Sequence, residues 1–136
     1  MRGGILPDYS ERFRAGLDFV AEVRGQEAAD AMEERLSKRG RRFNEHSVAA
    51  SYGDVYQRDG LDLKSREFAT LAILAAMGGT NDQITIHTHY GLDLGLTPVE
   101  IVELMVQVSV YAGAPRGSVG MYSVMKAFEE RGIETP

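Results

Sequence analysis

Ile84-Thr85-Ile86-His87-Thr88-His89-Tyr90 reads two ways, and the choice between them decides the fold. Alternation of β-branched with other residues is, taken alone, the pattern of a half-buried strand. A lone strand leaves its backbone N–H and C=O groups unpaired, and no other stretch of the chain supplies a partner. Gly95 follows closely, where a helix C-cap is expected. The stretch is therefore assigned to a helix over residues 82–94, and the chain is expected to be all-α.

The flanks support that assignment. Downstream, Thr97-Pro98-Val99-Glu100 combines an N-cap Thr, Pro in the first turn and Glu at the capping-box position. The helix it opens runs to about Ala112 and carries Ile101, Val102, Leu104, Met105, Val106, Val108 and Val110 on nearly every face. Such a helix is buried on more than one side, centrally or against another subunit. Pro115 begins a last helix that ends near Arg131-Gly132. Upstream, residues 62–77 are dense in helix formers, with Arg66 and Glu67 near the start and Gly78-Gly79 as the stop. A helix over 44–58 carries Val48, Tyr52, Val55 and Tyr56 and stops at Asp59-Gly60. One over 10–24 is capped by Ser10, presents Phe13, Leu17 and Val20, and ends at Gly25. One over 26–39 turns Ala28, Ala29, Met32 and Leu36 inward. The expectation is six or seven helices in a single domain over residues 1–136.

Composition narrows the function. With 136 residues, about two-thirds of the extended surface is buried on folding, enough for a core without staples. The absence of cysteine excludes disulfides, thiolate metal sites, thiol redox chemistry and a cysteine nucleophile. Fifteen Lys+Arg against 20 Asp+Glu leave a charge of −5, which gives no reason to expect nucleic acid or a membrane surface as partner. The one basic cluster, Lys38, Arg39, Arg41 and Arg42 around Gly40, is smaller than a nucleic-acid footprint and reads as a solvated connection. No signal-like N-terminus and no apolar run of 18 residues appear, so the cytosol is the expected compartment.

Chemistry gathers around the histidines. On a strand, His87 and His89 would share a face, as in metal hydrolases with a His-x-His pair. The acid that such sites carry two residues further on is replaced here by Gly91. On a helix the rings lie about 200° apart and cannot share one ion, so no metal is expected. One of them is suited to acid–base work, the other reading being a buried hydrogen-bonded ring plus a surface one. Glu67 is expected in the first turn of its helix, where the dipole stabilises a carboxylate without any function; facing the core, it would instead orient a histidine from the neighbouring helix. Arg66 is an anion contact or a surface residue. Tyr56 and Tyr111, like Tyr52, are core aromatics or substrate contacts.

The chain resembles the carboxymuconolactone decarboxylase family over roughly residues 44–130. The resemblance is carried by Tyr52-Gly53-Asp54-Val55-Tyr56, Gly60-Leu61, Ser65-Arg66-Glu67-Phe68-Ala69-Thr70-Leu71-Ala72, Ala75-Ala76-Met77-Gly78, His87, Gly95-Leu96-Thr97-Pro98-Val99-Glu100-Ile101, Glu103, and Val110-Tyr111-Ala112-Gly113-Ala114-Pro115. The family's histidine precedes the Thr of its Gly-x-Thr helix start by ten residues, as His87 precedes Thr97.

The resemblance implies an all-α fold of the alkylhydroperoxidase D type, assembled as a trimer or hexamer. It also implies a cofactor-free decarboxylation of a carboxylated γ-lactone in aromatic catabolism. His87 carries over as the acid/base and Glu67 as its orienting or relaying partner. The same fold hosts peroxide-reducing members that need Cys-x-x-Cys, a branch this cysteine-free chain cannot join. Two departures stand out. The Arg common two residues after the family histidine is His89 here, a substrate contact of different geometry. Arg116 follows Pro115 where a small residue is common, and offers a replacement cation. The competing expectations are a family member acting on another lactone or keto acid in secondary metabolism, and a catalytically silent helical binding or assembly module.

Overall fold

The computed structural model describes residues 9–38 and 40–136, and among them seven α-helices form with no strand. The helices gather into two compact units, one reaching to Gly60 and one from Leu61 onward.

The first unit holds α1 (Tyr9–Arg24), α2 (Gln26–Lys38), α3 (Arg41–Ala50) and a single 3-10 turn at Val55–Gln57. Because α1 already begins at Tyr9, Ser10 falls inside the helix rather than at its cap; its side chain, like Arg39 of the basic cluster, lies outside the described residues. Two members of that cluster are paired locally on the surface, Lys38 with Glu34, and Arg41 with Glu45 at 2.5 Å. That is the solvated connection the composition suggested.

The helix expected over 44–58 is not continuous. It stops at Ala50, and a turn precedes Val55–Gln57. The break is caused by packing at Gly53, whose backbone lies against α1 so closely that a Cβ would overlap the carbonyl of Arg12. The Gly53 N–H donates to the Val48 carbonyl at 3.0 Å and the Tyr56 N–H to that of Ser51 at 2.9 Å. This turn aims two rings at Phe19: Tyr52 stacks on it at 5.3 Å and Tyr56 meets it edge-on at 5.4 Å. Tyr52 and Tyr56 are both buried, whereas Val55 is turned outward at 41% exposure.

The second unit is built from α4 (Leu63–Met77), α5 (Asn81–Asp93), α6 (Pro98–Tyr111) and α7 (Ala114–Glu130). Side chains cap two of these helices. Asp62 accepts from the Ser65 N–H in front of α4, and Thr97 with Glu100 forms a complete capping box on α6. Leu71, Ile84, Ile101, Leu104, Val124 and Phe128 form the centre of the core. Each such side chain stabilises the fold by about 1.5–3 kcal/mol through burial. α6 buries Ile101, Leu104, Met105 and Val108 on one face and presents Val99, Val106 and Val110 outward on the other.

The ambiguous stretch is helical, and its threonines explain how. Thr88 Oγ1 donates to the Ile84 carbonyl at 2.8 Å, and Thr85 Oγ1 lies 3.2 Å from the Asn81 carbonyl and 3.0 Å from that of Ser123 on α7. Hydroxyls that bond one turn back satisfy a β-branched polar residue inside a helix. Among the described residues no helix is long and apolar enough to cross a membrane.

Candidate functional site

α4 and α5 pack side by side, and their seam brings Glu67 to His87. Counting from Leu63, Glu67 is the fifth helical residue and so lies one turn in, not in the first turn. The dipole-only explanation of its charge is thereby lost, since that effect is confined to the terminal turn. Its side chain is fully buried, and Oε1 lies 2.5 Å from Nδ1 of His87, whose side chain keeps 18% exposure. An ionised carboxylate in such a place requires a hydrogen-bonded partner of opposite or complementary character. An Nδ1–H that donates to Glu67 fixes the tautomer and the orientation of the ring. The ring of Tyr90, one turn on, lies 5.7 Å from that of His87 at a 33° tilt, and Tyr90 is itself buried. Residues at i and i+3 share a helix face, a spacing that marks Tyr90 as a neighbour of His87 in the sequence itself.

His89 turns away from this pair. Its Nε2 lies 2.7 Å from Oε2 of Glu130, and Nδ1 accepts from Nε of Arg131 at 2.8 Å. Arg131 also holds Asp93 through two donors at 2.7 and 2.9 Å. Both ring nitrogens of His89 therefore join α5 to the end of α7. The two histidines do not converge on one ion, and among the described residues no group of three His, Asp or Glu side chains gathers to hold a metal.

The remaining sequence candidates separate. Arg66 is half-buried; its Nη2 is 3.5 Å from the Leu61 carbonyl, and its Nε is buried with no hydrogen-bond partner among the described residues. Tyr56 packs in the aromatic cluster of the first unit. Tyr111 is 82% exposed, so core packing does not account for it. Arg116 is exposed at the start of α7, beside the Gly78 turn and apart from the lining of the Glu67–His87 seam. The sequence reading missed the Asp93–Arg131–His89–Glu130 network, because its members lie about 40 residues apart and no local spacing signals them.

Comparison with known proteins adds to this geometry. The sequence pattern of the Carboxymuconolactone decarboxylase family matches residues 41–121. The chain is similar to a 4-carboxymuconolactone decarboxylase of Acinetobacter baylyi, with 29% identity over 90% of this chain and 91% of that protein. It is also similar to a nitrosuccinic acid decarboxylase of Metarhizium robertsii, with 30% identity over 59% of this chain and 55% of that protein. A further likeness, at 31% identity over 47% of this chain and 48% of the relative, is to an uncharacterised 15.0 kDa protein of Paracoccus denitrificans.

Proposed function

Because this chain belongs to the carboxymuconolactone decarboxylase family, we propose that it is a carboxy-lyase acting on a carboxylated γ-lactone of the 4-carboxymuconolactone type, in aromatic catabolism. The observation that carries the proposal is the Glu67–His87 contact at 2.5 Å, a buried carboxylate holding a part-exposed imidazole.

The chemistry asks little beyond that pair. The carbon–carbon bond to the departing carboxylate breaks, CO2 leaves, and the electron pair is delocalised through the ring toward the lactone carbonyl. The substrate thus carries its own electron sink, and no cofactor is required. His87 delivers a proton from Nε2 to carbon, and Glu67 stabilises the imidazolium before that transfer and holds the ring afterward. His87 is reprotonated from solvent. The second relative is likewise named as a decarboxylase, of nitrosuccinic acid. Arg66, with its buried Nε lacking a partner among the described residues, is the candidate contact for a substrate carboxylate. Assembly into a homo-oligomer is supported by the outward apolar side chains Val106, Val110 and Tyr122, and is checked by light scattering. A cytoplasmic location belongs to the same reading.

The test is CO2 release from 4-carboxymuconolactone. The wild-type chain is expected to turn it over, and His87→Ala to lose about 100-fold or more in kcat. Turnover by His87→Ala at the wild-type rate, in a folded protein, refutes the assignment.

A further inference from the structure

A cavity lies in the Leu61-to-C-terminus unit, where the turn after α4 and the start of α5 meet the junction of α6 and α7. Its volume is about 410 Å³. Ala75, Ile84, Pro115 and Val119 form apolar walls, and neither Glu67 nor His87 lines it. Ala75 stands eight residues beyond Glu67 on α4, a separation of about 12 Å along the helix. Of the side chains that line the cavity, Arg116 alone is charged, with the Asn81 amide as a second polar group.

Arg116 lies against the turn after α4: a Cβ on Gly78 would overlap its Nη1, so the guanidinium rests on the glycine backbone at the edge of the cavity. The backbone of Gly78, at φ 74°, also requires glycine for that conformation. The same residue thus turns the chain after α4 and makes room for the cation.

We propose that this cavity binds a small monocarboxylate with a compact apolar body, at a site separate from the Glu67–His87 pair. One guanidinium matches one carboxylate through two parallel hydrogen bonds. Apart from Arg116, the Asn81 amide is the one polar side chain in the lining, and the apolar walls favour a ligand body that is mostly hydrocarbon. A doubly charged phosphate would leave most of its acceptors unmet. The inference stands on the cavity and Arg116 and holds whether or not the chain decarboxylates a lactone.

The experiment is a titration of the isotope-labelled full chain with benzoate, followed by backbone amide shifts, with benzamide and inorganic phosphate as controls. Benzoate is expected to saturate and to shift the amides of Gly78, Gly79, Asn81 and Arg116, while the two controls do not. Arg116→Gln is expected to weaken benzoate by at least about tenfold, the loss of a charge-assisted hydrogen bond. Arg116→Lys, which keeps the charge without the fork, should fall between, and it serves as the test if the Gln variant does not fold. Absence of saturable binding, equal binding of benzamide, or shifts confined to Glu67 and His87 would overturn the proposal. So would a change of oligomeric mass in Arg116→Gln without benzoate binding to the wild type, which would give the cavity to a second copy of the chain.

Discussion

Glu67→Gln separates a catalytic partner from a structural one. The Glu67 side chain is fully buried and its Oε1 lies 2.5 Å from His87 Nδ1. Glutamine has the same shape and can still accept from Nδ1–H through its amide oxygen, so position and tautomer of the ring are kept. What disappears is the charge. A hydrogen bond to a charged group is worth about 1.5–3 kcal/mol and a neutral one about 0.5–1.5, so roughly 1–2 kcal/mol of stabilisation of the imidazolium is lost. If protonated His87 delivers the proton, that loss enters kcat as about 5- to 30-fold, milder than His87→Ala, with KM little changed. The assay is steady-state CO2 release from 4-carboxymuconolactone, with a thermal melt of each variant to establish folding. Glu67→Ala is the contrast: it leaves His87 without its partner above a void, and a lowered melting temperature is expected alongside the loss of activity. A folded Glu67→Gln with unchanged kcat beside an inactive His87→Ala would refute the charge argument and leave Glu67 as packing.

Two further outcomes follow from the same unit. Gly117→Ala places a Cβ 2.6 Å from Ser109 Cβ and 2.9 Å from the Met105 carbonyl oxygen, so α6 and α7 must move apart; a loss of about 1–3 kcal/mol in chemical denaturation is expected, and an unchanged midpoint would contradict the packing. Asp62 is held below its ordinary value first by the Ser65 hydroxyl and then by the Ser65 N–H, and Glu100 first by the Thr97 N–H and then by Lys64. Groups depressed by folding contribute stability that is fully present above the unfolded carboxylate value and is lost as pH falls through the lower folded value. Amide protection at Ser65 and Thr97, measured against the intrinsic exchange rate at each pH, should therefore fall in that acid range, and Asp62→Asn and Glu100→Gln should each remove their part of the pH dependence.

The fold was legible wherever local chemistry and tertiary packing agreed. Thr97-Pro98-Val99-Glu100 announces its helix through backbone N–H groups that must find acceptors nearby, and the capping box forms as read. The residue run 44–58 misled because apolar spacing says nothing about how near another backbone comes. Gly53 sits against Arg12, forty-one positions away in sequence, and that approach ends the helix. The site divides along the same line. Helical periodicity alone separates His87 from His89, and the family resemblance pairs His87 with Glu67. What His89 does instead depends on Glu130 and Arg131, which arrive only when α7 folds back on α5.

That last contact changes how the substitution of the family's arginine is understood. Read along the sequence, His89 looks like a weakened anion site two residues from His87. In the folded chain both of its nitrogens are engaged, one by Arg131 and one by Glu130, on the face of α5 that does not meet Glu67. An arginine at this position would bring a second guanidinium against Arg131, in place of the acceptor that Nδ1 provides, and like charges at that range repel. Histidine at 89 and arginine at 131 are thus complementary to one another, and Asp93 completes the set by neutralising Arg131. Under the proposed function, the contact for a substrate carboxylate then passes from His89 to Arg66, one residue from Glu67, with its buried Nε lacking a partner among the described residues.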